Sequence, residues 1–189
     1  MAIMNHKESW GLIARLLHWA SGAVILFMLG LGVYMTQFVT DIYAQFGLFQ
    51  THKSWGFVAF ALGILRLVWR AVNPTPRLPD GMTGWEIRAS QLSHGLLYLL
   101  IFALPISGWL MSSASPLQDS YGIKNMVFEQ FEYPDPFVPG SESLETVFGT
   151  IHTGSAIAIG IIVMIHILAA LKHQFVARDG LIRRMILGR

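Results

Sequence analysis

Gly22-Ala23-Val24-Ile25-Leu26-Phe27-Met28-Leu29-Gly30-Leu31-Gly32-Val33-Tyr34-Met35 decides the fold, because it runs through successive helical turns with no charged side chain and no polar stripe. A helix of a soluble bundle turns a polar face to water, so a helix apolar on every side is matched to lipid. Around this stretch, residues 16–40 are 25 consecutive positions without a formal charge, bounded by Arg15 and Asp41. A bilayer-spanning helix needs about 20 such residues. The same test finds 26 uncharged positions at 146–171, with a wholly apolar centre at 156–165, and 30 at 89–118. A fourth apolar segment opens at His52 and carries Arg66 and Arg70 at its far end. The reading is an all-α integral membrane four-helix bundle, one domain over 1–189, with spans near 16–37, 52–70, 92–112 and 148–171.

Composition points the same way. Of 189 residues, 53% are hydrophobic and 13% charged, about half the charged share of a soluble domain. The 13 Lys and Arg against 11 Asp and Glu leave a formal charge of +2, too little to argue for a nucleic-acid partner. There is no cysteine, which excludes disulfides, thiolate-bound iron–sulfur clusters, Cys-type zinc sites and covalent haem attachment. The first span lies too deep and runs too long for a cleavable signal peptide and is expected to remain in the mature protein. The sequence has no internal repeat and no low-complexity segment.

Lys and Arg are distributed unevenly over the connections. Lys7, Arg15, Arg66, Arg70, Arg77, Arg88, Lys172, Arg178, Arg183, Arg184 and Arg189 fall on one side of the spans, and only Lys53 and Lys124 on the other. The positive-inside rule therefore predicts a cytoplasmic N-terminus, C-terminus and 2–3 connection. That connection, Asn73-Pro74-Thr75-Pro76-Arg77-Leu78-Pro79-Asp80-Gly81, reads as an ordered extended linker, since each proline removes a donor and turns the preceding residue away from helix. The external 3–4 connection, 113–143, holds five acidic residues together with Pro134, Pro136 and Pro139 and is expected to form an acidic cap.

Six of the seven histidines, His18, His52, His94, His152, His166 and His173, lie in spans or at their ends, where an ionisable group is costly and marks a functional candidate. A single histidine at a helix end is ordinarily an interfacial residue, so the pattern carries the argument. His152 and His166 are 14 residues apart, about 21 Å of rise and about 40° of azimuth, on one face at two depths. By depth, His18 can meet His166 in the inner half and His52 can meet His152 in the outer half. Two facing imidazoles suit a six-coordinate haem iron, whereas zinc normally takes three or four protein ligands. Gly22, Gly56 and Ala156 each follow a candidate ligand by four residues, leaving space on the histidine faces or serving ordinary helix packing. Arg66, 14 residues after His52, falls at the inner depth and reads either as a haem-propionate contact or as a snorkelling topology determinant; Arg70 reads as the latter. Lys53 is a candidate for an outer propionate.

Leu17-His18-Trp19, Thr51-His52-Lys53-Ser54-Trp55-Gly56, Arg66-Leu67-Val68-Trp69-Arg70 before Asn73-Pro74-Thr75-Pro76, Ser93-His94-Gly95-Leu96-Leu97-Tyr98, Ala103-Leu104-Pro105-Ile106-Ser107-Gly108 and His152-Thr153-Gly154 with His166 together resemble the prokaryotic cytochrome b561 family over nearly the whole chain. The resemblance implies two haem b groups with His18, His52, His152 and His166 as axial ligands and ubiquinone as a redox partner. One branch of the family resembles an oxidase of superoxide. Related di-haem subunits of hydrogenases and formate dehydrogenases share the ligand spacing. His94 and His173 remain open between quinone-site residues and interfacial neighbours of propionates, and His173 also competes with His166 as a ligand. Seven acidic residues on the external segments against Lys53 and Lys124 favour a cationic or protein partner over superoxide. The expected function is electron transfer across the bilayer between a periplasmic redox partner and the quinone pool. A membrane-anchor cytochrome b subunit of a larger quinone-linked oxidoreductase is the alternative. A proton or metal transporter is disfavoured, because no carboxylate lies within the expected spans.

Overall fold

In a computed structural model, residues 2–79, 81–137 and 139–188 are described; Asp80 of the linker and Arg189 of the basic set lie outside them, and Asp119 is described by its backbone alone. Four helices are long and apolar enough to cross a membrane: α1 (Leu12–Gln37), α2 (Ile42–Val72), α3 (Gly84–Ala114) and α5 (Glu142–Lys172). Between α3 and α5 lie a short helix α4 (Pro116–Tyr121) and a hairpin of β1 (Met126–Val127) with β2 (Phe131–Glu132), antiparallel with Val127 opposite Phe131. After α5 a π-helical turn (His173–Ala177) leads to α6 (Leu181–Leu187).

Each long helix exceeds the expected span, because absence of charge marks bilayer depth whereas capping chemistry sets helix ends. Asp41 Oδ1 accepts the Ala44 amide at 2.8 Å and starts α2 ten residues before His52. Thr83-Gly84-Trp85-Glu86 is a capping pair: the Thr83 amide and hydroxyl donate to Glu86 Oε2 at 2.8 and 2.7 Å, which starts α3 at Gly84. Glu142 and Glu145 place negative charge in the first turn of α5.

The chain divides into two compact units, and each long helix supplies a stretch to both. The first comprises the chain up to Gly22, Leu62–Leu99 and everything from Ile159. There the N-terminal segment is sewn to the linker, with Asn5 Nδ2 donating to Pro74 O at 3.0 Å and the Arg77 amide to Lys7 O at 2.8 Å. Lys172 pairs with Glu86 at 2.5 Å.

The second unit comprises Ala23–Ala61 and Leu100–Ala158. Its centre of polar order is Asn125, fully buried, whose Oδ1 accepts Lys53 Nζ at 2.7 Å and Ser112 Oγ at 2.8 Å while Nδ2 donates to Gln118 Oε1 at 2.9 Å and Asp135 Oδ1 at 2.5 Å. One side chain thus ties the connection to α2 and α3. Large apolar side chains such as Phe27, Val33, Ile161, Met164 and Ile165 are exposed on the long helices, the surface lipid requires.

Candidate functional site

In the first unit, α1 carries His18, α5 carries His166 and α3 carries His94, all half-buried. The His18 and His166 ring centres stand 6.2 Å apart with planes at 49°, and His94 lies 5.4 Å from His166 at 75°. Arg66 of α2 reaches the same place, with Nη2 3.4 Å from His18 Nδ1. Its guanidinium carbon is 5.4 Å from the Tyr98 ring centre and that of Arg70 is 5.6 Å from it, so one phenol carries both cations. Ser90 Oγ lies 3.4 Å from His94 Nδ1.

His173 opens the π turn, so α-helical counting from His166 stops at Lys172. Its Nδ1 meets Asp179 Oδ2 at 2.5 Å, and Asp179 Oδ1 accepts the Leu181 amide at 3.0 Å. The imidazole is committed at one nitrogen to a carboxylate that sequence reading passed over, because the π turn alone folds residue 179 back onto residue 173.

In the second unit, His52 of α2 and His152 of α5 have ring centres 6.2 Å apart and planes at 79°. His152 Nδ1 lies 3.0 Å from Leu104 O and 3.3 Å from Ser107 Oγ. Donation to the carbonyl fixes the proton on Nδ1 and leaves the Nε2 lone pair open to a metal. Gly108 lets the ring approach: a Cβ there would stand 3.0 Å from His152 Cε1. His52 Nδ1 is buried with no hydrogen-bond partner among the described residues. A Cβ at Gly32 would be 3.5 Å from His52 Cε1. Lys53, expected near an outer propionate, spends its ammonium on Asn125 and, at 3.3 Å, Ser112. Lys124 pairs with Glu132 at 2.6 Å. Burial, with the Asp135 carboxylate adding to it, pushes the Tyr133 phenol up, so it stays neutral.

These donors fit haem. Two imidazoles sharing one metal atom, each nitrogen about 2 Å from it, have ring centres about 6 Å apart. Both 6.2 Å pairs meet that spacing. Among the described residues no group of three or more His, Asp or Glu side chains is placed to hold a metal ion, as a zinc site would need. A Cβ on Gly22 would meet nothing within 4 Å and one on Gly56 only Met28 Cε at 3.9 Å, so protein packing does not demand glycine there. A flat macrocycle beside His18 and His52 would give that absence of side chain a use.

Four apolar spanning helices bearing facing imidazoles define a multi-pass membrane protein of the electron-transfer cytochrome class. Residues 9–188 match the family described as prokaryotic cytochrome b561, and the chain belongs to it. It is similar to cytochrome b561 homolog 2 of Escherichia coli (strain K12), 30% identical over 190 residues that cover 98% of this chain and 95% of that protein. To cytochrome b561 homolog 1 of the same organism it is 26% identical over 137 residues, 72% of this chain and 73% of the other. It is accordingly a bacterial membrane protein of haem b electron transfer.

Proposed function

We propose that the protein binds two haem b groups, one held by His18 and His166 and one by His52 and His152, and conducts electrons across the bacterial inner membrane between an external redox partner and the quinone pool. The observation that supports this reading is the recurrence of the 6.2 Å imidazole spacing in both units. Bound haem supplies one-electron chemistry at iron. The chain's part is to bind, orient and set charge. Leu104 O and Ser107 hold His152 in the tautomer that presents Nε2. At the other pair, an Nε2 ligand bond leaves the His18 proton on Nδ1, where Arg66, a donor only, has nothing to bond. The guanidinium then turns to an acceptor, and a propionate carboxylate is the matching one.

His94, beside His166, and His173, oriented by Asp179, are the residues to hand protons to a quinone, since each imidazole has a ring nitrogen left for exchange. Termini and the 2–3 connection face the cytoplasm in this reading. The anchor-subunit reading keeps the same haem sites and differs in partner alone. The exposed acids Glu129, Glu132 and Glu142 fit a cationic protein partner better than superoxide.

The test is haem content and spectrum. Pyridine haemochrome assay should give two haems per chain, and the reduced-minus-oxidised spectrum should show b-type bands. His18→Ala and His152→Ala should each lose one haem, and different ones. One haem per chain, or loss of both from either variant, overturns the assignment. Reduction of a ubiquinone analogue by the isolated protein given superoxide would separate a free-standing oxidoreductase from an anchor that needs a co-purifying partner.

A further inference from the structure

The residue after His18 does something its neighbours on α1 do not. Trp19 sets its indole at right angles to the His18 ring, with centres 5.3 Å apart and planes at 89°. Its Nε1–H donates to Met185 O of α6 at 3.1 Å, a bond between positions 166 residues apart in the chain. The indole is 51% exposed, so packing alone does not fix its rotamer, and the hydrogen bond to α6 does. The helix that accepts this bond is itself tethered within the same unit. Arg184 donates through Nε at 2.9 Å and Nη2 at 2.5 Å to Glu8 O, and Asp179 holds both the Leu181 amide and His173.

We infer that Trp19 is a positioning residue for His18, and that the C-terminal helix α6, through the Met185 carbonyl, sets the rotation of the His18 imidazole. The inference rests on the proposed role of His18 as a haem ligand. The physical route is short. An aromatic edge at right angles to an imidazole resists rotation of that ring about its ligand bond, because turning either ring brings their atoms into overlap. Ligand-plane orientation and the surroundings of an axial histidine are two levers a protein has on a haem's electronic structure and potential. Arg66, on Nδ1 of the same ring, shows that His18 has a partner elsewhere, yet Arg66 is lost to it once Nε2 is bound. The perpendicular indole is the restraint that persists.

The experiment uses the full-length protein with haem bound. Trp19→Phe keeps a ring against His18 and removes the donor, and Arg184→Gln loosens α6 without touching Trp19. Ferric EPR and a potentiometric titration are recorded for both beside wild type, with haem content measured on each preparation. The expected result is a shift in the g-values and midpoint potential of one haem, the one lost in His18→Ala, in both variants and larger in Trp19→Phe, with the other haem's signal unmoved. If haem content stays at the wild-type level and neither variant moves either quantity, or if both haems shift equally, the inference is overturned. Trp19→Tyr, whose hydroxyl donates to carbonyls but from a different point, should not restore the wild-type g-values; full restoration would show that any polar aromatic suffices and would also overturn it. Failure of the underlying reading has a separate signature, namely His18→Ala keeping both haems.

Discussion

Gly108 is where a single hydrogen atom matters. A Cβ there would lie 3.0 Å from Cε1 and 3.2 Å from Nδ1 of His152, tight enough that the ring must give by a few tenths of an ångström, and 3.9 Å from Nε2, an ordinary contact. Because the ring is held by Leu104 O and Ser107, it cannot swing away without giving up those bonds. Gly108→Ala should therefore cost about 1–3 kcal/mol of overpacking and misdirect Nε2. The expected outcome is depletion of the haem lost in His152→Ala, read by haemochrome assay, with the other haem intact. Gly22→Ala, beside open space, should leave the apoprotein's fold untouched, so far-UV circular dichroism of the two variants separates local geometry from folding. The histidines themselves were legible in the sequence, since an imidazole at bilayer depth is costly and spacing of 14 residues assigns depth without any structure. Gly108 and Ser107 were visible as part of a motif, but their task was not, because it depends on which ring of α5 lies against that stretch of α3. The contact between His94 and His166 was missed for the same reason: depth placed both near one end of the bundle, and only azimuth brings them to 5.4 Å.

At the scale of elements, the connection from Ser115 to Ser141 is organised by Asn125 rather than by its acidity. Its amide satisfies four partners, among them the Lys53 ammonium of α2 and the Asp135 carboxylate. Asn125→Leu keeps the branching and the number of side-chain heavy atoms and removes every one of those bonds. Each buried partner left unpaired costs about 1–3 kcal/mol, and a charged one more. The expected result is a lower midpoint of thermal unfolding in detergent and faster hydrogen exchange across 115–141, while exchange in α6 stays at the wild-type rate. Equal protection in wild type and variant would mean that the connection is held by its apolar contacts, such as Trp55 on Phe128 and Phe57 on Tyr133. The sequence marked this stretch as too long for a plain turn and acidic. It could not mark Asn125 as the hub, since a buried asparagine and a surface one look alike until their partners are known. Helix ends teach the converse lesson. Thr83-Gly84-Trp85-Glu86 is a capping signal that stands in the sequence itself, and counting uncharged residues from Arg88 hid it.

For the whole molecule, charge asymmetry is the property that survives every local detail. Lys53 and Lys124 are the two cations of the segments expected to lie outside, and both are engaged, one by Asn125 and Ser112 and the other by Glu132. Asp41, Glu129, Glu132 and Glu142 remain exposed. Negative surface charge attracts cations and repels anions over a Debye length of about 10 Å at 0.1 M salt. Electron exchange with a cationic mediator, such as a hexaammineruthenium ion, should thus be faster at low ionic strength than at high, and exchange with ferricyanide slower. Stopped-flow oxidation of the dithionite-reduced protein at several salt concentrations measures both. The exposed acids should impose opposite salt slopes on the two mediators, and replacing Glu129, Glu132 and Glu142 together by Gln should bring the slopes together. If superoxide or another small anion were the natural donor, the field around its entry would have to be positive. Ferricyanide would then be the mediator that salt slows, and the triple Gln variant would steepen that dependence rather than abolish it.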